Sequence, residues 1–511
     1  MVVWLGLCLL LIALSLYLLY AFERQTRIDR LTHNWPAPPS LPILGHLHIL
    51  AKLVGPHPFR RATELVNTHL KDHRGKLWLG TKLYLVDCNP KDIQALCSAQ
   101  QMLQKTTDYK VFENWLCEGL FTADYDKWFQ RRKTLTPAFN YTMIKQFVQV
   151  FERQSRILLP RVAEYAESGK SVDFLDLISC YTLDVICETA LGVSVDAQSG
   201  KRSSYLEAVR EVLHVIDYRL KNLFYRHSFI YRRTALFRRE QELLKTLHGF
   251  TEGIVQERQH QFNLDEVNRN TMSTKDAEMD KRPALSFLDT LLQAKTPEGA
   301  SLSVKEIREE VDTIIFGGFD LTATVLKFVM YNMTLHTDHQ QQCREEIWQI
   351  CGKDTKEPIT IEQVQQLEFL EWCVKETLRM YPPAPLLTRR ATANCQINDF
   401  FIPKGNDVVI SPMYMGRCKD FFPEPLVFKP ERWARGAEPK IEATTFIPFM
   451  TGARSCLGQR YAMVMIKSVM AHLLRSYRFE PIGERQVKMK LNFVVTLHTV
   501  EPYYCRVRAV E

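Results

Sequence analysis

The sequence predicts a mainly α chain with small β sheets, held to a membrane by its N-terminus. Three observations predict it. Residues 2–22 carry no charge and are rich in leucine from Leu5 to Leu19. The several hundred residues after Val86 are mostly helical in hydrophobic period. Only short segments alternate as strands do: Lys76–Val86 around a turn at Gly80-Thr81, Asp399–Ser411 around Pro403–Asn406, and Leu491–Leu497.

About twenty apolar residues suffice to cross a bilayer as a helix. Arg24, Arg27 and Arg30 all follow the run, which by the positive-inside tendency leaves the remainder cytosolic. A cleaved signal peptide is disfavoured, since no basic segment precedes the run and no small-residue cleavage site follows it. A mitochondrial transit peptide would be amphipathic and lack such a run. The organisation expected is a transmembrane signal-anchor over 1–22, a basic and proline-rich linker over 23–45, and one catalytic domain over 46–511. Trp35-Pro36-Ala37-Pro38-Pro39-Ser40-Leu41-Pro42 reads as a stiff spacer standing that domain off the membrane.

At 46% hydrophobic and 24% charged, the 511 residues are ordinary globular composition with enough apolar content for a large core. The net charge of +8 comes without a Lys/Arg block interleaved with aromatics, which argues against a nucleic-acid partner. The 13 cysteines are scattered and include no C-x-x-C pair, so zinc knuckles and a disulfide framework are disfavoured and a reducing compartment fits.

One cysteine sits in a special setting. Phe449-Met450-Thr451-Gly452-Ala453-Arg454-Ser455-Cys456-Leu457-Gly458 runs straight into a helix-forming stretch from Gln459. Backbone N–H groups at a helix start, with a nearby Arg, lower a thiol pKa and favour a metal–thiolate bond. Taken alone, Cys456 is more often a small buried core residue. The spacing Phe-x-x-Gly-x-Arg-x-Cys-x-Gly, however, resembles the haem-binding loop of the cytochrome P-450 superfamily at each signature position. The resemblance implies haem b bound at its iron by Cys456, a propionate contact from Arg454, and Phe449 packed beside the sulfur. Its glycines let backbone and porphyrin approach closely.

The superfamily's other elements follow in the expected order. Trp128 and Arg132 share a helix face; alone they read as an amphipathic helix with a buried Trp, and beside the Cys456 loop they resemble the W-x-x-x-R element that bonds a haem propionate. Lys127, Arg131 and Lys133 face either an acidic electron donor or solvent. Residues 205–235 gather Tyr218, Phe224, Tyr225, Phe229 and Tyr231 among bases, which suits a lid touching lipid headgroups or ordinary core and surface. Gln261–Arg282 is polar without a period and reads as a mobile loop open to proteolysis.

Glu306–Thr324 reads as a long helix with Gly317 and Gly318 inside it, each costing about 1 kcal/mol relative to Ala. That cost suggests close approach by something flat. The stretch resembles the superfamily's oxygen-binding helix, and within it the animal fatty-acid ω-hydroxylase-like family, whose pattern is E-V-D-T-F-M-F-E-G-H-D-T-T. Glu310–Thr322 matches at eight of those thirteen positions. Gly317 replaces a glutamate that can become esterified to haem, so the haem is expected to be non-covalent. Leu321 replaces the threonine that hydrogen-bonds dioxygen. Asp320, the acid of the acid–alcohol pair, is present; Thr322 is the adjacent hydroxyl but is turned about 100° away. Asp320 and Thr322 are the catalytic candidates. Water or a substrate hydroxyl fills the gap, or the substrate already carries its oxygen, or catalysis is feeble.

Glu376 and Arg379 are i, i+3 neighbours, and Pro430-Glu431-Arg432-Trp433 resembles the P-E-R-F element that completes a buried Glu–Arg–Arg network. Glu376, Arg379 and Arg432 are implied to be scaffold for the Cys456 loop. Arg389 stands where the superfamily places another propionate-binding Arg, with Arg390 as a possible substitute. The whole implies a single triangular haem-thiolate domain, with haem between the Gly317 helix and the helix after Cys456. The activity implied is NADPH-dependent monooxygenation of a hydrophobic substrate (a lipid, a steroid or terpenoid, or a foreign compound). Its implied electron donors are NADPH–cytochrome P-450 reductase and, as a second, cytochrome b5, at the cytosolic face of the endoplasmic reticulum. A reductase-independent isomerase or dehydratase, motivated by Leu321, and a non-catalytic haem-binding protein are the rivals.

Overall fold

Nothing in residues 23–31 breaks a helix, and α1 runs unbroken over Val2–Leu31 in the computed structural model. Its stretch Trp4–Leu31 is long and apolar enough to cross a membrane. The model describes residues 2–50, 64, 68–200, 203–222, 224–271, 286–296, 299–483, 489–493 and 495–510. After α1 the longer elements are β1 (Arg74–Leu79), β2 (Lys82–Asp87), α2 (Pro90–Ser98), α3 (Tyr125–Leu135), α4 (Tyr141–Ser168), β3 (Val172–Asp173), α5 (Phe174–Ile186), α6 (Ser203–Lys221), α7 (Ala235–Thr271) and α8 (Val304–Leu335). They continue with α9 (Glu368–Met380), β4 (Leu387–Arg390), β5 (Cys395–Ile397), β6 (Phe400–Ile402), β7 (Asp407–Ile410), α10 (Gln459–Ser476), β8 (Tyr477–Pro481), β9 (Leu491–Phe493), β10 (Leu497–Thr499) and β11 (Tyr504–Ala509). The chain is mainly helical with small sheets, as expected.

The described residues cluster as two compact units. The first comprises Met1–Thr106, Pro385–Pro423 and Glu442–Ser455. Its sheet has strand order β1-β2-β7-β4, with β2 and β7 parallel and the other pairs antiparallel. The β1–β2 hairpin turns at Gly80-Thr81, where the sequence placed it. The strand pieces around Pro403–Asn406 are not partners of each other: β6 pairs with β5, and β7 joins the larger sheet. That turn hands the chain from one sheet to another.

The basic and proline-rich segment packs on the first unit's hairpin and on Phe401. The C-terminal end of α1 is tied to the hairpin, Arg24 donating to Thr81 O at 2.7 Å and Asp29 accepting from Lys76 Nζ at 2.8 Å and from the Trp78 indole at 3.0 Å. The proline-rich stretch is likewise docked: Trp35 is buried and donates to Phe401 O at 3.0 Å, and Pro36 O accepts from Lys76 N at 2.8 Å. Prolines lack an N–H but keep their carbonyls, so such a segment still edges a sheet as an acceptor.

The second unit comprises Thr107–Ala384, Glu424–Ile441 and Cys456–Glu511. It holds the long helices, the three-stranded sheet β3-β11-β8 and the β9–β10 hairpin. Its centre is α8, almost wholly buried and started by a capping box between Ser303 and Glu306. The loop expected over Gln261–Arg282 is helical as far as Thr271, within α7; residues 272–282 lie outside the described residues. From Ile254 to Thr271 no Gly or Pro interrupts the chain, so a polar stretch without a period still holds a helix. The aromatics of 205–235 divide: Phe224 and Phe229 are exposed, whereas Tyr231 is buried and donates to Glu240 at 3.1 Å.

Candidate active site

The second unit is built around the exposed seam of α8. Among long buried runs on that helix, Ile314, Gly317, Gly318 and Leu321 are only partly covered. They fall at i, i+3, i+4 and i+7, so they form one stripe on one face. The two glycines serve different ends. A Cβ on Gly317 would meet nothing within 4 Å. A Cβ on Gly318 would stand 2.5 Å from Ile186 Cγ1 and Cδ1, so this glycine is required by the packing of α8 on α5. Close approach at Gly318 is thus accounted for by Ile186, while Gly317 has open ground beside it.

Asp320 is buried, and its Oδ2 accepts from Thr496 Oγ1 at 3.1 Å. Burial pushes its carboxyl up to about 6, against the Thr496 bond and the charge of Arg210. Thr322 and Thr324 are both buried. Leu321 presents its alkyl chain on the partly open stripe.

Cys456 lies just before α10, whose N-cap is Gly458. The residue is exposed, yet burial pushes its thiol up, opposed by the Gly458 N–H and the Arg132 charge. The lowered pKa expected for a free thiol at this helix start is therefore corrected, because desolvation outweighs the helix terminus. Arg132 is itself half-buried; burial lowers its pKa and the Cys456 sulfur opposes that. Trp128, one turn before it on α3, is buried with its ring centroid 6.0 Å from that of Tyr125.

Two neighbouring cations on α3 are not free to meet a partner protein. Lys127 pairs with Glu309 at 2.8 Å and Arg131 with Glu306 at 2.9 Å, joining α3 to the start of α8. Lys133 is exposed.

Glu376 is fully buried and gathers five hydrogen bonds. Arg379 donates from Nε at 2.9 Å and Nη2 at 2.8 Å, Arg432 from Nε at 2.9 Å, the Lys429 N–H at 3.0 Å, and the Trp433 indole at 3.0 Å. The last of these explains the departure from phenylalanine at 433, since an indole adds a donor that a phenyl ring lacks.

Phe449, Arg454 and Arg389 belong to the first unit. Arg454 and Arg389 are buried, and Phe449 is half-buried. Gly452 has φ +75, and a Cβ there would stand 2.3 Å from Cys97 O, so it admits the backbone of α2. Arg390 is not a substitute for Arg389: it pairs with Asp407 across the sheet at 3.0 Å. Sequence reasoning missed Lys105. Arg390 N donates to Gln104 O at 2.9 Å and the Thr106 and Thr388 hydroxyls are 2.8 Å apart, which sets Lys105 alongside β4. Burial drives its pKa well down, with repulsion from Arg389 and Arg454 adding to the effect. Three cations thus share a buried region suited to anionic groups. No motif flags a lone lysine, and only the β4 pairing reveals it.

These features fit a haem. In the second unit Cys456 supplies a thiol, and a Cβ on Gly317 would meet nothing within 4 Å; in the first unit, taken by itself, the buried cations suit anionic groups such as propionates. A family model described as Cytochrome P450 matches residues 36–506. A Drosophila melanogaster protein named probable cytochrome P450 312a1 is 74% identical over 509 residues, covering 99% of this chain and 100% of that protein. Cytochrome P450 4d1 of Drosophila melanogaster is 40% identical over 500 residues, 96% of each chain. Cytochrome P450 4d10 of Drosophila mettleri is 37% identical, over 94% of this chain and 92% of its own.

Proposed function

We propose, from the premise that this chain belongs to the cytochrome P450 family, that it is a membrane-anchored monooxygenase. It oxidises a hydrophobic small molecule with electrons passed from NADPH by a flavoprotein reductase, with cytochrome b5 as a second donor. Family membership carries the coarser statement: a haem-thiolate monooxygenase using haem b, a redox partner and a small-molecule substrate. The anchor at α1, the endoplasmic reticulum membrane and the identity of the reductase are the finer reading, supported by the length and apolarity of Trp4–Leu31.

The observation that carries the site assignment is an exposed Cys456 just before α10, with the Gly458 N–H and the Arg132 charge acting on its sulfur. Its sulfur would hold the haem iron, and the Gly458 N–H and Arg132 favour negative charge on it. Haem b supplies the activation of dioxygen when bound. The chain's residues do the rest. Gly317 leaves room on α8. Leu321 presents hydrocarbon where the resemblance places a hydroxyl. The Asp320 carboxyl, lifted by burial to about 6, both gains and releases a proton near neutral pH. Trp128, Arg132, Arg389 and Arg454 take the propionate roles that the resemblance gives them, and Phe449 the place beside the sulfur. Glu376, Arg379 and Arg432 fix α9 to the segment around Trp433.

Cys456→Ala tests the assignment. The ferrous–CO complex should lose its thiolate-type absorbance, and a variant that kept it would end the axial assignment. With reductase and a panel of lipids, product should form in step with NADPH use. Hydroperoxide turnover that needs no reductase would overturn the monooxygenase reading.

A further inference from the structure

Asp320 has kept its acid while its neighbour has lost the alcohol, and the hydroxyl it bonds comes from elsewhere in the chain. Thr496 Oγ1 donates to Asp320 Oδ2 at 3.1 Å and lies 2.6 Å from His498 Nε2. Thr496 immediately precedes β10 and His498 lies within it two residues on, and their side chains meet. The residue between them is fixed by Leu497 N donating to Pro383 O at 2.9 Å, and His498 stands opposite Asn492 of β9. Thr496 is buried, whereas His498 is only partly covered. A line of hydrogen-bonding atoms therefore runs from a half-open imidazole through a buried hydroxyl to a buried carboxyl. Asp320 lies three residues after Gly317, which places the two on neighbouring positions of one helix face.

We propose that His498 and Thr496 relay protons to Asp320, a side route from the C-terminal hairpin that replaces the hydroxyl missing at Leu321. His498 Nε2–H passes its proton to Thr496 Oγ1 as the Thr496 hydroxyl proton passes to Asp320 Oδ2, and His498 takes a proton from water at Nδ1. One proton is drawn from solvent for each that reaches Asp320; no electrons move, and the imidazole tautomer resets through water. A bond that merely held the hairpin to α8 would need one donor to the carboxylate. The third member is a group able to accept at one nitrogen and donate at the other, which is what a relay requires.

The surrounding charges suit this direction. Arg210 and His214 of α6 and Lys327 of α8 face the group; burial, Lys327 and His214 hold the His498 pKa down to about 4, so the imidazole works as a neutral carrier. Lys327 in turn donates to Thr499 Oγ1. Thr496 and His498 are positioning residues, since both act through Asp320.

The inference rests on the monooxygenase reading for the use of the proton, and its test separates the two. In the ferric holoenzyme, the carboxyl infrared band of Asp320, identified by its loss in Asp320→Asn, is followed after a pH jump. Thr496→Val and His498→Gln should each slow protonation about a hundredfold, at the low end of what a proton-transfer group contributes. Thr496→Ser should restore the rate. Glutamine keeps a hydrogen bond to Thr496 but cannot exchange tautomers, so a purely structural His498 would be replaced by it without loss. With reductase and substrate, the two slow variants should divert several-fold more NADPH to hydrogen peroxide, and Thr496→Ser should not. Unchanged protonation rates in both variants would overturn the relay, as would slowed protonation with an unchanged peroxide fraction. Slowed protonation in a protein that forms no NADPH-dependent product would leave the relay standing and remove the monooxygenase reading.

Discussion

Two adjacent glycines in one helix should answer the same substitution with opposite signs. Replacing a mid-helix glycine with alanine gains about 1 kcal/mol from backbone entropy. At Gly317 nothing lies within 4 Å of the new methyl, so Gly317→Ala should keep that gain in the apoprotein. At Gly318 the methyl would stand 2.5 Å from Ile186 Cγ1 and Cδ1 and 3.2 Å from Ile186 Cβ. Ile186 is itself buried and has no open side to retreat to. Overpacking of this kind costs about 1–3 kcal/mol, so the net effect of Gly318→Ala runs from about zero to a loss of about 2 kcal/mol. Urea denaturation of the two apoproteins, compared on the same transition because a chain of this size is not expected to unfold in two states, measures the difference. In a double-mutant cycle, Ile186→Ala should relieve Gly318→Ala and leave Gly317→Ala unaffected. Haem binding should reverse the order, since only the methyl at 317 enters the open ground. Equal stability changes at the two positions, or haem affinity weakened only by Gly318→Ala, would refute the division of labour.

Two further outcomes follow from the buried carboxylates. Glu310 accepts from Leu120 N at 2.9 Å, and burial lifts its carboxyl to about 7, against the charges of Arg131 and Lys127. Between its ordinary value of 4.5 and 7 the folded chain holds a proton there that the unfolded chain has lost, so stability falls as pH rises through that window. The loss is on the order of 3 kcal/mol when complete, and Glu310→Gln should flatten it in denaturation curves taken from pH 5 to 8. Glu376→Ala should cost about 3–5 kcal/mol, because it strands two guanidinium groups away from water. Trp433→Phe should cost only about 1–2 kcal/mol, since four of the five hydrogen bonds to Glu376 remain. Denaturation midpoints and haem retention measure both, and equal losses would mean that the indole, and not the guanidinium pair, holds the network.

What the sequence revealed and what it hid divide along a physical line. Glu376, Arg379 and Arg432 were legible because a short spacing and charged groups leave few alternatives, and the structure brings them together. The β1–β2 hairpin was legible because Gly80-Thr81 is a turn flanked by alternating residues. At Gly318 and Gly452 the sequence showed that something approaches closely but not which protein segments do. A glycine announces that something approaches closely, while the identity of that something, here Ile186 and the Cys97 carbonyl, belongs to segments far away in sequence. Lys127 and Arg131 were read as surface for the same reason, since their partners Glu309 and Glu306 lie on another helix. Lys105 and Thr496 carried no signal, because each acquires its role from pairing with β4 or α8 alone.

Asp320 shows why the lost hydroxyl at Leu321 did not take the acid with it. A buried carboxyl left without a hydrogen-bond partner costs on the order of several kcal/mol, so replacing the alcohol beside it would ordinarily favour replacing the acid too. Thr496, reaching in from β10, satisfies the carboxyl through a different strand. The acid is therefore decoupled from the residue that follows it on α8, and position 321 is released to present hydrocarbon along the open stripe. The same exchange makes the C-terminal hairpin, rather than α8 alone, answerable for the protonation state of Asp320, and it ties that state to how firmly Leu497 is held at Pro383.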